Sequence, residues 1–279
     1  MTVKPHWREA LPALRSLVHR PRFGLISDFD GTLSPFSAFP TDAAIHPAIA
    51  LSLDTWIGRG LPLALVSGRA AADLYARYPR PGVLYYGNHG MEYWHEGQVV
   101  VAAGAQAWEV PLESLLGQLG IPLIPGVMIE NKRVTASVHY RATADPAQAR
   151  LNLYERLSPL AESYGFLLSE GQFIWEIKPP VALNKGTALA AIIDAQRLDG
   201  VLFLGDDVTD FTAMARLTAL RADSGAALTG LSIGVLHPTS RPELTEYCDM
   251  TTHGVDDTAA LMDWIIQEQQ RDEPNTRLS

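Results

Sequence analysis

Short runs of this chain are apolar at almost every position and then stop abruptly at a polar residue: "FGLIS" (23–27) before Asp28, "LPLALV" (61–66) before Ser67, and "VLFLG" (201–205) before Asp206. A strand with one wet face alternates apolar and polar residues, whereas a continuous apolar run only four to eight residues long fits a strand buried on both faces. Between the runs the spacing turns helical. "WREALPALRSLVH" carries leucines at helical intervals up to Pro21, "AIHPAIALSLDTWIGRG" closes on glycine, and "RAAADLYARY" precedes a further strand in "GVLYYG". Strand and helix in alternation predict an α/β chain whose core is a Rossmann-like parallel sheet. With 279 residues, of which 47% are hydrophobic, the chain has enough apolar side chains to build it.

The middle of the chain obeys another rule. "MEYWHEGQVVV" reads as a hairpin, "VMIENKRVTASVHYR" as two alternating strands about an Asn-Lys turn, and "FLLSEGQFIWEIKP" as a hairpin turned at Glu-Gly. Helices are expected at roughly 106–119 and 145–163. Residues 107–182 therefore read as an α+β unit inserted into a core made of 1–106 and 183–279. An insertion at the carboxyl ends of parallel strands makes a cleft where α/β sheets usually bind ligands. The tail "QRDEPNTRLS" has the polar composition of a disordered end.

Charge narrows the partners. A formal net charge of −9 opposes nucleic acid or an anionic membrane as the main partner and leaves small molecules as the expectation. No stretch approaches the roughly 18 uninterrupted apolar residues of a membrane helix. The single cysteine, Cys248, cannot form an internal disulfide, and the first residues have no signal-like apolar core, so a cytoplasmic location is expected.

The polar residues that end these runs carry the chemistry. "LISDFDGTLSP" puts Asp28 and Asp30 two positions apart, "VSGR" supplies Ser67, "LNKGTAL" supplies Lys185, and "FLGDDVTD" supplies Asp206, Asp207 and Asp210. An Asp-Gly pair alone is ordinary turn chemistry. Together, however, these stretches offer carboxylates for a hard cation, a hydroxyl donor and a lysine, a set suited to gripping one phosphoryl group.

In these four stretches, taken in order, the chain resembles the haloacid dehalogenase (HAD) superfamily of aspartate-nucleophile phosphatases. Through "GNHGMEYW", "IENKRVTASVHYR" and "WEIKP" as well, it is similar to the trehalose-6-phosphate phosphatase family over roughly residues 23–270. The resemblance implies a HAD core with an inserted cap. Asp28 would attack phosphorus, and Asp30 would protonate the leaving sugar oxygen and later deprotonate water. Nearby negative charge is expected to favour a protonated Asp30. An anionic nucleophile and a phosphate repel by about 4 kcal/mol per charge pair at about 4 Å and an effective dielectric of about 20. The resemblance meets this with Mg2+ held by Asp28, the Asp30 carbonyl and Asp206, with Asp207 and Asp210 farther out or replacing a water.

By the same likeness Ser67, Gly68 and Lys185 hold the phosphate, while Arg69, Asn88, His89, Glu130, Lys132 and Glu176 face the sugar. Trp56, Trp94, Trp108 and Trp175 read as packing more than as sugar platforms. One departure stands out: Phe211 occupies the position after "TD" where the family commonly has glutamate. The implied reaction is hydrolysis of trehalose 6-phosphate. Alternatives are glucosylglycerol phosphate, mannosyl-3-phosphoglycerate or sucrose 6-phosphate as substrate, a sugar phosphomutase, or a non-catalytic sensor. The resemblance leaves open a functional coupling to a trehalose-6-phosphate synthase.

Overall fold

The continuous apolar runs form the centre of an eight-stranded sheet. In a computed structural model, which describes residues 4–37, 40–119, 124–171 and 173–271, the chain runs α1 (Leu11–Val18), β1 (Phe23–Ser27), α2 (Pro47–Gly58), β2 (Leu63–Val66), α3 (Ala71–Arg77), β3 (Leu84–Gly87), β4 (Glu92–His95) and β5 (Gln98–Val101). Next come α4 (Glu109–Leu119), β6 (Met128–Asn131), β7 (Ala136–His139), α5 (Pro146–Ser163), β8 (Leu167–Gly171) and β9 (Ile174–Lys178). The chain then continues with α6 (Lys185–Gln196), β10 (Gly200–Gly205), α7 (Phe211–Ser224), β11 (Thr229–Leu236), α8 (Leu244–Tyr247), β12 (Met250–His253) and α9 (Gly254–Arg271). Of the tail expected to be disordered, Gln270 and Arg271 belong to α9, and 272–279 lie outside the described residues.

Two compact units emerge, Met1–Val99 with Asn184–Ser279, and Val100–Leu183; the sequence pattern puts the insertion at 107–182. In the first, the strand order is β12-β11-β10-β1-β2-β3-β4-β5, parallel from β12 to β3 and antiparallel from β3 to β4. Successive side chains of a strand point to opposite faces, and both faces are dry. Leu25, Leu65 and Leu204 join one core with Leu14, Leu53, Trp56 and Ile265 from α1, α2 and α9. Ile26, Val66 and Phe203 join the other with Leu189, Ile192 and Met214 from α6 and α7. Helices on both faces explain why these strands lack polar alternation.

The second unit is an antiparallel sheet, β6-β7-β9-β8. Here alternation returns, because one face packs and the other does not. Ala136, Val138, Trp175 and Ile177 meet Leu112 and Leu115 of α4 and Leu153 and Leu157 of α5. The opposite face carries a row in register, Glu130, Ser137, Glu176 and Ser169, across all four strands.

Both turns of this sheet differ from expectation in detail. Glu170 and Gly171 do not turn the second hairpin; they pair with Trp175 and Ile174, and the turn comes after them, with Phe173 at φ 62°. A slip of one residue would flip Trp175 and Ile177 out of the core, so burial sets the register. The first hairpin turns after Asn131, which pairs with Ala136 and whose Oδ1 accepts from Arg133 N at 2.9 Å. That side-chain bond supports the left-handed Arg133 (φ 73°).

Candidate active site

Asp28, Ser67 and Asp206 each follow the last residue of neighbouring parallel strands, β1, β2 and β10, and His237 follows the last residue of β11. The parallel register therefore gathers them at one edge of the sheet. Asp28 is seated by its backbone N–H, which donates to the Leu204 carbonyl at 2.9 Å, and Ser67 N donates to Tyr86 O at 3.0 Å. Gly31 permits the turn that follows Asp30: its φ is +74°, and a Cβ there would lie 2.2 Å from Asp206 Oδ2.

Lys185, the first residue of α6, reaches this edge. Its Nζ donates to Asp28 Oδ1 at 2.6 Å and to Asp210 Oδ1 at 2.7 Å, with side-chain exposures of 3%, 6% and 0% for the three groups. Burial pushes Asp28 up to about 7 against the opposing pull of Lys185. Burial likewise raises Asp206 well above the usual carboxylate range, with Asp28 and Asp210 adding repulsion. Burial would lower Lys185, but the two carboxylates outweigh it and hold the ammonium above its ordinary value.

One oxygen from each of Asp28, Asp206 and Asp210 lies within 4.8 Å of the others, and all three residues are buried. Oxygen-only donors in an unbalanced acidic pocket, with Lys185 between two of them, fit a hard divalent cation such as Mg2+. Asp210 is also a brace: its Oδ2 accepts from the backbone N–H groups of Asp206 and Asp207, each at 3.0 Å. Asp207 is a residue expected farther out from the cation or replacing a water. It is exposed and lies outside the buried group, because its position opens the short helical turn Val208–Asp210.

Asp30 has another environment than the negative one expected. Both its oxygens are taken by Arg69, Nε to Oδ2 at 2.6 Å and Nη2 to Oδ1 at 2.7 Å, and Arg69 Nη1 continues to Asp73 at 2.9 Å. Arg77 Nε holds Asp73 in turn at 2.7 Å, so alternating charges run along α3. The sugar-side candidate Arg69 is thus a partner of the acid candidate.

Ser67, Gly68, Asn88 and His89 lie together. The Ser67 carbonyl accepts from His89 N at 2.8 Å, the Arg69 carbonyl accepts from Asn88 N at 2.8 Å, and Ser67 Oγ accepts from Arg69 N at 3.2 Å. Asn88 and His89 both adopt positive φ, 49° and 58°. A Cβ on Gly68 would come within 2.7 Å of the His89 ring, so a side chain there would displace the ring.

In the second unit, Glu130 Oε2 meets Lys132 Nζ at 3.6 Å and His139 Nε2 at 3.3 Å, and Glu176 Oε2 meets Lys178 Nζ at 2.5 Å. Sequence reading missed His139 and Lys178. Glu130 and Glu176 share a row and a face of this sheet. Trp56, Trp108 and Trp175 pack in the two cores or against them, and Trp94 stacks on Tyr75 with centroids 4.5 Å apart. Phe211 stacks on Tyr247 at 4.5 Å and 9°, an apolar contact where the family commonly has a carboxylate.

Sheet order and strand-end residues define the class, a HAD-type α/β fold. A solved phosphatase of the haloalkanoate (HAD) enzyme superfamily from Bacteroides thetaiotaomicron superposes with a TM-score of 0.56 at 16% identity, over 88% of this chain and 95% of that one. The C-terminal domain of trehalose-6-phosphate phosphatase from C. albicans gives 0.76 at 21% identity, covering 96% and 99%. The family model Trehalose-phosphatase matches residues 26–227, and the chain belongs to that family. The trehalose-phosphate phosphatase of Mycobacterium marinum is 34% identical over 200 residues, 68% of this chain and 50% of the relative. The chain thus spans about half the length of the curated relatives it matches. Among the described residues, no helix is long and apolar enough to cross a membrane.

Proposed function

We propose that this chain is a magnesium-dependent phosphoric monoester hydrolase that converts trehalose 6-phosphate to trehalose and phosphate through an aspartyl-phosphate on Asp28. One observation carries the reading: a buried carboxylate at a strand end is held by a buried lysine, beside two further acids able to share a cation. Mg2+, when bound by Asp28, Asp206 and the Asp30 carbonyl with Asp210 behind them, supplies positive charge against the phosphate. Lys185 fixes one oxygen of Asp28 and adds its own charge beside the phosphoryl group. An Asp28 oxygen bonds to phosphorus as the bond from phosphorus to the sugar oxygen breaks, and Asp30 gives that oxygen its proton. Water then attacks the aspartyl-phosphate, Asp30 takes a proton back, and phosphate leaves.

Asp30 must release Arg69 to meet the leaving oxygen. The guanidinium keeps a carboxylate partner in Asp73 when it does so, which lowers the cost of the exchange. Ser67, the Gly68 backbone and Lys185 grip the phosphoryl oxygens, while Asn88 and His89 border it. The unit 100–183 reads the sugar: Glu130 and Glu176 accept from hydroxyls of the distal ring, and Lys132 donates to it. Similarity to trehalose-phosphate phosphatases favours trehalose 6-phosphate over the other sugar phosphates. A trehalose-6-phosphate synthase is then the source of the substrate.

Phosphate release across trehalose 6-phosphate, sucrose 6-phosphate, glucosylglycerol phosphate and mannosyl-3-phosphoglycerate tests the substrate. The first should be turned over most efficiently; a better rate on any other would overturn that choice. Folded Asp28→Asn, with deamidation excluded by mass, should lose at least about 10³-fold in kcat on every substrate.

A further inference from the structure

Four neighbouring parallel strands end at this site, and three of the residues that follow them have been given roles. The fourth is His237, after β11. Its Nε2 lies 2.6 Å from the Gly31 carbonyl oxygen and 4.0 Å from Asp206 Oδ2. A carbonyl can only accept, so Nε2 carries the proton and His237 is the donor. The side chain is 13% exposed. Its backbone is pinned as well, N–H donating to Ser240 Oγ at 2.8 Å, and the Phe36 ring lies 4.8 Å from the imidazole.

What His237 holds matters. Gly31 follows Asp30, and the space a Cβ would take on it is filled by Asp206 Oδ2 and the Phe36 ring, at 2.2 and 2.7 Å. Only one carbonyl, that of Gly31, is tied by His237, but it belongs to the loop that carries Asp28 and Asp30. The loop also closes on itself, Gly31 N donating to Ser34 O at 2.8 Å. The imidazole thus joins the β1 loop to the end of β11 across β10, the strand that carries Asp206.

We propose that His237 is a positioning residue of the catalytic centre: its Nε2–H holds the Gly31 carbonyl, and so fixes the Asp28–Gly31 loop at the distance from Asp206 that a shared divalent cation requires. The inference rests on reading the site as a magnesium centre. Groups that orient metal ligands from outside set the geometry into which the ion must fit, and their loss typically costs 10–100-fold in affinity or activity. His237 acts through the loop that carries Asp28 and Asp30, so its effect does not depend on the leaving group.

Two variants separate this role from simple packing. His237→Met fills similar space without a donor, and His237→Gln restores an N–H at comparable reach. Mg2+ affinity is measured calorimetrically on each intact chain, with kcat on p-nitrophenyl phosphate and trehalose 6-phosphate alongside. H237M should bind Mg2+ about tenfold or more weakly than wild type and lose kcat by a similar factor on both substrates. Its melting temperature without metal should stay close to wild type. H237Q should recover most of both losses. Wild-type Mg2+ affinity in H237M, or H237Q as impaired as H237M, would overturn the role of the N–H. A loss of melting temperature in H237M that H237Q shares would reduce His237 to packing. Failure of the wild type itself to bind Mg2+ would overturn the magnesium reading and this inference with it.

Discussion

Lysines pair with carboxylates in both units, yet the two settings differ. Lys185 lies between Asp28 and Asp210 with nothing more than 6% exposed. On the second sheet, Glu130 is 38% exposed beside the buried Lys132 and the partly exposed His139, and Glu176 is 20% exposed beside Lys178. Buried charges lose their hydration and regain it only from one another, so removing one strands the rest. Pairs with at least one partly exposed member are screened more by water and exchange partners at lower cost than a fully buried set. The first arrangement suits a fixed catalytic frame. The second suits groups that must trade a neighbouring side chain for a ligand hydroxyl.

The contrast ranks substitutions. Lys185→Met removes the counter-charge from buried carboxylates and should lower kcat by about 10²–10³-fold on any substrate, read as phosphate release. Without metal it should also destabilise the fold by about 3–5 kcal/mol, seen in urea titrations at a pH where Asp28 is ionised. An undiminished stability would mean that the frame is not held together by this ion pair. For the wild type, chelation should lower the melting temperature: saturating Mg2+ at about 100 times its Kd adds about 2.7 kcal/mol, or roughly 5–10 °C.

Glu176→Gln tests the other region. It should lower kcat/KM for trehalose 6-phosphate by roughly 10–100-fold, the loss of a hydrogen bond to a charged group, and leave p-nitrophenyl phosphate almost unchanged. Equal losses on both substrates would join Glu176 to the catalytic frame and dissolve the comparison. The smallest effect belongs to Glu170→Gln. Its partner Arg150 is a surface residue of α5, and hydrogen bonds from Arg150 hold the Glu170 carboxyl below the usual range. Calorimetry should find its melting temperature unchanged at neutral pH.

What was legible in the sequence follows the same division. Asp28, Ser67 and Asp206 could be located because each ends an apolar run, and a run buried on both faces announces its own limits. Lys185 could be assigned through its motif, but its reach to Asp210 needed the packing of α6 and α7. His237 also ends a strand, yet His-Pro reads as turn chemistry and its partner Gly31 is 206 positions away. His139 and Lys178 stayed hidden for a related reason: alternation tells which face a strand residue takes, and only strand pairing tells what stands beside it. The Glu170-Gly171 turn misled because a glycine after an acid is a turn signal, whereas burial of Trp175 and Ile177 fixed the register. Asp30 misled differently: its bidentate hold by Arg69 comes from the neighbouring strand's loop.

Covalent chemistry at Asp28 is the centre of the account, and it can be observed directly. Trehalose 6-phosphate and Mg2+ would be mixed with enzyme in single-turnover amounts, quenched in acid after milliseconds, digested and weighed by mass spectrometry. Repeated on Asp30→Asn with p-nitrophenyl phosphate, whose leaving group needs little protonation, the adduct should last longer, because the base that activates water is gone. The expected result is one added HPO3 on the peptide containing Asp28, absent from Asp28→Asn. Phosphate released in the burst with no adduct, or an adduct on another residue, would contradict it.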